Sequence, residues 1–286
     1  MELLNPAARI LIQLYGELNA LGVIAPPGIN LNGVPTITKK DLKNLDYDLI
    51  LVTGIKASLV PILKESETLG IDIDKVVIDR TVCVPNFTLE KYNKLRHSQL
   101  SILSMNCWGV ITYNTLGLPF LSPTINMVTS NEEQFIQFLK NPIENMEKEF
   151  KYQRSYYSQE DKINHPIFNL GEVEWRLIHD DAKNLENILQ NWYKRRYRIN
   201  WCNSLFVMNT KDPELLKKFD RMPLAKKACF VPFETDIESA FYMNPKRYGT
   251  DQFNNSVLCF ARETPYCYDI WDLLLYGKKT PLIDQK

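Results

Sequence analysis

The stretch Ser101–Asn126, "SILSMNCWGVITYNTLGLPFLSPTIN", decides the fold. Its apolar run ends at Met105, and the polar and aromatic residues NCWG follow from Asn106 without a gap. Further on, the pattern becomes amphipathic. A short apolar run followed by helical periodicity predicts a buried strand that turns directly into a helix. Such corners are the repeating unit of parallel α/β sheets, and ligands usually bind beside them at the carboxyl ends of the strands.

The composition is that of an ordinary globular protein. The chain has 286 residues, of which 45% are apolar and 24% charged. Lys plus Arg equals Asp plus Glu at 34 each, so the net charge is zero. This balance gives no global attraction to nucleic acid or to an anionic membrane. Any binding of anions therefore has to come from a local site.

The N-terminal sequence lacks the features of a signal peptide, and no stretch is apolar enough for a membrane span. The cysteines contain no CxxC pair and no spacing typical of metal ligands, so we predict no metal site. With no pattern of paired cysteines, we expect reduced thiols and a cytoplasmic location. The six cysteines are Cys83, Cys107, Cys202, Cys229, Cys259 and Cys267.

Alternating strand and helix patterns run along the chain. The apolar run "YDLILVTG", a helical pattern that ends at Gly70, and the run "KVVID" predict a β-α-β unit in the first third. A second series begins at Gln99. We therefore predict an α/β fold with mostly parallel sheets and helices on both faces, divided into domains at 1–95 and 96–286.

The NCWG corner is the first candidate binding site. Asn106 is a preferred helix cap, which places the next three residues in the first turn, where free N–H groups attract anions. Gly109 allows a ligand to approach the backbone, Trp108 offers a flat face to a sugar or base, and Cys107 is expected to have a lowered pKa. The alternative is structural: Asn106 only caps, and the other three only pack.

Two carboxylates are the candidate catalytic groups. Glu172, Glu174 and Arg176 alternate with apolar residues, which predicts that they share one face of a strand. A pair of this kind can supply a general acid and a general base. The alternative is a solvated strand face.

A basic helix end is the second candidate binding region. Arg195, Arg196 and Arg198 crowd the end of a predicted helix, where cations also stabilise the helix dipole without any ligand. The functional alternative is a clamp for a phosphate or diphosphate. Asn200 and Trp201 follow directly and would extend this binding region towards the next strand.

Three separated stretches resemble a bacterial family of unknown function, whose members are sometimes labelled exopolysaccharide-biosynthesis proteins. They are "NCWG…YNTLGLPFLSPTIN", "NLGEVEWRLIH" and "WYKRRYRINWCN", in that order, within about Gln99–Lys279. The family pattern runs NCWGG, LGLxYxSPT, Gly-(Asp/Glu)-(Ile/Val)-Glu and INWDN. This chain differs from the pattern in having Val110 in place of the second glycine and Cys202 in place of the aspartate.

The first third resembles the Rossmann-like domains that precede polysaccharide enzymes, although it has no GxGxxG loop. Together the resemblances imply a transferase of surface polysaccharide synthesis that acts on a sugar or phosphate-bearing substrate, with a nucleotide sugar as one possible donor. The alternative is a non-catalytic protein that binds a nucleotide or sugar phosphate. The sequence leaves the cofactor and the oligomeric state open.

Overall fold

The computed structural model describes residues 24, 37–52, 59–129, 131–244 and 264–282. They fall into two compact units, which lie within Met1–Asn93 plus Asn114–Pro119 and within Lys94–Tyr113 plus Phe120–Lys286. The short apolar stretch "GVIA", whose sequence is typical of a strand, lies largely outside the described part of the chain.

The first unit contains a two-stranded parallel sheet. Strands β1 (Ile50–Val52) and β2 (Val76–Ile78) pair in parallel, and helix α1 (Val60–Thr68) lies between them in the chain. Gly70 follows this helix with φ +68°, a conformation that glycine adopts without strain, so the predicted helix end is confirmed. Short helices α2 (Asp79–Val82) and α3 (Leu89–His97) follow β2. Two parallel strands are too few to confirm a Rossmann-like domain.

The second unit is built on a four-stranded parallel sheet of order β10-β9-β8-β3. The strands are β3 (Ser101–Ser104), β8 (Ser204–Asn209), β9 (Lys226–Val231) and β10 (Ala240–Tyr242). All residues of β3 and β8 are buried, as expected for parallel strands that are covered on both faces. Three helices follow strands of this sheet in the sequence. Helix α4 (Trp108–Leu116) follows β3, α8 (Pro213–Asp220) follows β8, and α9 (Ile270–Tyr276) comes after β10.

A second sheet lies in the chain between β3 and β8. It is antiparallel, so the predicted α/β class is confirmed but the fold mixes parallel and antiparallel sheets. Its order is β4-β7-β6-β5. The strands are β4 (Met127–Val128), β5 (Phe150–Tyr157), β6 (Asn164–Leu170) and β7 (Val173–Leu177). Strands β6 and β7 form a hairpin around Gly171, whose φ is +60°. Direct hairpin connections produce antiparallel pairs, whereas parallel pairs need a crossover.

One core joins the two sheets of the second unit. It contains the buried aromatic residues Phe135, Phe150, Phe168, Trp175 and Trp192, together with Leu103 and Phe206 of the parallel sheet. Helices α5 (Glu132–Lys140), α6 (Pro142–Glu147) and α7 (Leu185–Arg196) enclose it. The cap of α5 is Asn131, whose side chain accepts a hydrogen bond from the Gln134 N–H at 2.8 Å.

Candidate functional site

The NCWG corner forms a buried hydrogen-bond network. Asn106 is 4% exposed, and its side-chain oxygen accepts a bond from the Trp108 N–H at 2.9 Å, as the capping prediction required. The same oxygen accepts a bond from the Ser104 hydroxyl at 3.0 Å, and its amide nitrogen donates to the side-chain oxygen of Asn209 at 2.7 Å. The Asn106 side chain is therefore engaged with the protein on both of its polar atoms.

The rest of this corner packs in the interior, which differs from the predicted ligand contacts. Trp108 is 1% exposed, donates to the Thr264 hydroxyl at 3.2 Å and contacts the Phe230 ring. It presents no ring face to solvent. Gly109 lies against β3, because a Cβ atom there would be 3.1 Å from a methyl group of Ile102. The glycine allows the helix to approach the strand.

The expected lowered pKa of Cys107 is wrong. The thiol is buried, and the loss of hydration disfavours the thiolate, which raises its pKa to about 11. At neutral pH the group is a protonated thiol with little nucleophilic character. The effect of the helix N-terminus, which predicted the opposite shift, is outweighed by desolvation.

The two glutamates differ in their surroundings. Glu172 is exposed in the hairpin turn before β7, and Glu174 lies on β7 and forms an ion pair with Arg154 of β5 at 2.8 Å. Both side chains of this pair are well exposed, so it contributes little to stability. The carboxylate of Glu174 is thus held by a partner two strands away in the same sheet, and the acid–base role of the two residues stays a prediction.

The three arginines at the end of α7 point to different partners. Arg196 contacts the rings of Tyr193 and Tyr197 at 4.9 Å each and the carboxylate of Glu147 at 3.5 Å. Arg198 is exposed beyond the helix end. Arg195 is half-buried and turns towards a cavity described below. The arginines therefore do not form a single clamp.

Asn200 and Trp201 lie at the opposite edge of the parallel sheet from Asn106. The Asn200 N–H donates to the hydroxyl of Ser101, the first residue of β3, at 2.8 Å. Asn106, by contrast, bonds to Ser104, the last residue of that strand. Trp201 packs partly buried against the core. Asn200 and Asn106 therefore lie at opposite ends of β3.

A different group of motif residues does come together. A shallow cavity that opens to solvent lies between α7, the ends of β4 and β7, and the loop that leads into β4. Its enclosed part has a volume of about 20 Å³, so a ligand larger than a water molecule would extend from it into solvent. Its lining is formed by Pro123, Ile125, Met127, Phe150, Leu177, Asp180, Ile188, Asn191, Trp192 and Arg195.

Two of the lining groups lack partners. Trp192 is 2% exposed, and its indole Nε1–H has no hydrogen-bond acceptor in the described part of the chain. Arg195 makes no ion pair among the described residues. Burial lowers the pKa of its guanidinium, the charge of Asp180 opposes this shift, and Arg198 adds to it. A buried donor without an acceptor is costly, and the half-buried Arg195 guanidinium, which has no ion-pair partner among the described residues, is available to an anion from outside the chain.

A second polar cluster lies at the carboxyl edge of the parallel sheet. Asn209 ends β8, and the next residue, Thr210, donates its hydroxyl hydrogen to the carboxylate of Glu132 at the start of α5. Burial raises the pKa of Glu132, and the bond from Thr210 opposes this shift. With the bond from Asn106 to Asn209, the cluster forms a continuous row along the edge where ligands of α/β proteins usually bind.

A family model described as "Domain of unknown function (DUF1919)" matches residues 78–272, which is more than half of the chain. The chain belongs to the DUF1919 family. Both polar clusters lie inside the matched range, whereas most of the first unit precedes it. The prediction that this chain belongs to a family of unknown function is confirmed.

A relative of this DUF1919 protein occurs in Haemophilus influenzae and is named "Uncharacterized protein". It is 26% identical over 164 residues, which cover 55% of this chain and 73% of the relative. The relative's name gives no activity.

Two further findings concern the described part of the DUF1919 chain. No helix in the described ranges combines the length and apolar character that crossing a membrane requires. In the same ranges, no group of three or more His, Cys, Asp or Glu side chains is arranged to hold a metal ion.

Thiol labelling should distinguish buried from exposed cysteines in this DUF1919 protein. At pH 8, iodoacetamide is expected to modify exposed Cys83 and Cys202 and to leave buried Cys107, Cys229 and Cys267 unmodified until urea is added. Burial both blocks access and raises the thiol pKa of Cys107 and Cys229. Peptide mass spectrometry reads each site separately. Rapid modification of Cys107 in the native protein would contradict its burial.

The raised pKa of Glu132 predicts a pH-dependent stability change. The folded state holds the proton more tightly than the unfolded state, so this carboxyl stabilises the fold at low pH and loses that contribution as pH rises through its folded pKa. The Glu132→Gln variant can still accept the bond from Thr210 but carries no charge. We expect it to be more stable than the wild type at pH 7 and about equal at pH 4, as measured by urea unfolding.

A Glu132→Gln variant that is less stable than the wild type at pH 7 would show that the fold stabilises the Glu132 carboxylate and does not destabilise it. Glu133→Gln is the matched control, because Glu133 is the adjacent residue on α5 and is exposed. Its stability relative to the wild type should not change with pH in this range.

Proposed function

We propose that this protein binds a small ligand with an oxyanion, in the first place a phosphate ester, in the cavity beside α7. The observation that carries the proposal is the pair of unpartnered donors, the indole N–H of Trp192 and the guanidinium of Arg195. They lie three residues apart on α7 and so share one helix face. Asn191 adds a polar amide to the same wall.

The apolar part of the lining supports a small organic ligand over a free ion. Phe150, Met127 and Leu177 line the cavity beside the polar residues. A guanidinium next to apolar walls binds an oxyanion more strongly than an exposed lysine would, because water competes less and two parallel hydrogen bonds can form. This arrangement favours the non-catalytic binding protein over the transferase, since no carboxylate pair lies in the cavity.

Calorimetric titration with glycerol 3-phosphate tests the proposal. The wild type should bind saturably, and Arg195→Gln should weaken binding by about tenfold or more, because charge-assisted hydrogen bonds are worth ~1.5–3 kcal/mol each. Lys194→Gln is the matched control, since it removes the same charge from an exposed neighbour on the same helix. Equal effects of the two variants would show a nonspecific charge effect and refute the site.

A transferase of surface polysaccharide synthesis is the second candidate function. The observation that favours it is Glu132, a partly buried carboxyl with a raised pKa at the carboxyl edge of the parallel sheet. A raised pKa suits a general acid near neutral pH. The polysaccharide assignment itself comes from the resemblance of the motifs, with a nucleotide sugar as the donor.

Chromatography of nucleotide sugars incubated with the protein tests this second candidate. The transferase predicts slow release of the nucleotide by the wild type and its loss in Glu132→Gln, with Glu133→Gln unaffected. If the wild type leaves every tested nucleotide sugar intact, the transferase is refuted and the binding function is unaffected.

We also propose a cytoplasmic location. The five described cysteines are free, and Cys83 and Cys202 among them are exposed. Exposed thiols persist in reducing compartments. Oxidised Cys83 or Cys202 in protein isolated from cells under acid quench would contradict this location.

A further inference from the structure

An acidic residue lines the cavity together with Arg195. Asp180 lines the same cavity, and its charge acts on the Arg195 guanidinium, but the two side chains form no ion pair among the described residues. A carboxylate is unfavourable next to a bound phosphate, because like charges repel at short distance. A carboxylate beside an anion site therefore has either a structural role or a role in recognising the ligand.

The backbone of Asp180 is held by a buried histidine. His165 of β6 is 1% exposed, and its Nδ1 lies 3.2 Å from the carbonyl oxygen of Asp180. Its Nε2 lies 2.7 Å from the carboxylate of Asp161, and this hydrogen bond is the main cause of the lowered pKa of Asp161. The Asp180 backbone is thus held by a contact that does not involve Arg195.

Arg195 and Asp180 together present a cation and an anion that are not neutralised by each other. A ligand that matches both has an oxyanion for Arg195 and a hydrogen-bond donor for Asp180, at neighbouring positions. A simple alkyl phosphate satisfies only the first of these and is repelled by the second. A phosphate ester with a free hydroxyl group satisfies both, because the hydroxyl donates to the carboxylate.

We infer that Asp180 is a specificity-determining residue that selects hydroxylated phosphate esters, of the sugar or polyol phosphate class, over alkyl phosphates of the same size. His165 acts as a positioning residue through the Asp180 carbonyl. This inference rests on the proposed oxyanion site at Arg195 and adds the class of ligand to it. The discrimination is a difference between two affinities, to which attraction and repulsion both contribute.

Two phosphate esters of similar size test the inference. Glycerol 3-phosphate carries two hydroxyl groups and propyl phosphate carries none. By calorimetry, the wild type should bind glycerol 3-phosphate about tenfold more tightly, which corresponds to one charge-assisted hydrogen bond. In Asp180→Ala the preference should fall to about twofold or less, with propyl phosphate binding more tightly than to the wild type.

The adjacent aspartate supplies a matched control. Asp181 caps a short 3-10 helix by accepting a bond from the Lys183 N–H at 3.0 Å and is not among the cavity residues. Asp181→Ala removes the same charge and should keep the tenfold preference. His165→Gln should reduce the preference and leave the affinity for propyl phosphate unchanged, whereas general unfolding would lower both affinities.

The outcomes separate this inference from the proposed function. If both esters bind through Arg195 but Asp180→Ala keeps the wild-type preference, the specificity role is refuted and the oxyanion site stands. If the wild type binds the two esters equally, the role is refuted as well. If neither ester binds, or if binding survives Arg195→Gln, the proposed function fails and the inference fails with it.

Discussion

The Phe150→Ala variant is expected to lose about 3–5 kcal/mol of unfolding free energy, the largest effect among the substitutions considered. Phe150 is 2% exposed and is stacked between two rings, with centroid distances of 4.4 Å to Phe168 and 4.1 Å to Trp192. Removing the ring leaves a cavity that the flat neighbours cannot fill. The loss also frees Trp192, which lines the proposed ligand site.

Urea unfolding of the variant and of a control on the same strand measures this effect. Tyr152 lies two residues further along β5 and is 37% exposed, so Tyr152→Ala removes an aromatic ring from the surface. Its expected cost is below about 1 kcal/mol. Similar losses of unfolding free energy in the two variants would show that the stack of Phe150 with Phe168 and Trp192 is not central to the core.

The Asn106→Ala variant is expected to lose about 2–4 kcal/mol. The substitution leaves the Trp108 N–H and the side-chain oxygen of Asn209 without their partners in a buried place. Each unsatisfied buried group costs ~1–3 kcal/mol, more than the net gain from an ordinary hydrogen bond. The substitution therefore tests the structural role of the NCWG corner.

A double-mutant cycle with Asn209→Ala isolates the pair. If the bond at 2.7 Å is as strong as its burial indicates, the double variant should be more stable than the sum of the single losses predicts, by ~1 kcal/mol or more. Additive losses would mean that the two amides act independently. Binding of phosphate esters to folded Asn106→Ala should match the wild type, because the cavity residues are elsewhere in the unit.

The sequence predicted most elements of the second unit, because their apolar patterns are strong. Strands β3 and β8 are rich in apolar residues, and β9 ends in the apolar run "ACFV". Strand β5 was missed. Its residues after Phe150 are largely exposed, and polar side chains such as Gln153 and Arg154 carry no alternating apolar signal.

The candidate site was predicted only in part. Arg195 was selected as one of several cations, but nothing in the sequence separates it from Arg196, which the structure pairs with Glu147 and two tyrosines. One available signal was overlooked: Trp192 and Arg195 are three residues apart on a helix and therefore share a face. Asp180 and Glu132 join their clusters through tertiary contacts that local spacing does not encode.

The resonance of the Trp192 indole N–H tests the central claim most directly, because this donor has no acceptor in the described part of the chain. In a nitrogen-15 labelled sample, Trp192→Phe assigns the signal, and glycerol 3-phosphate is then titrated. The proposed site predicts a saturable downfield shift of this one indole signal in the wild type and in Lys194→Gln, but not in Arg195→Gln. A Trp192 signal that stays in place while the ester binds elsewhere would contradict the proposal.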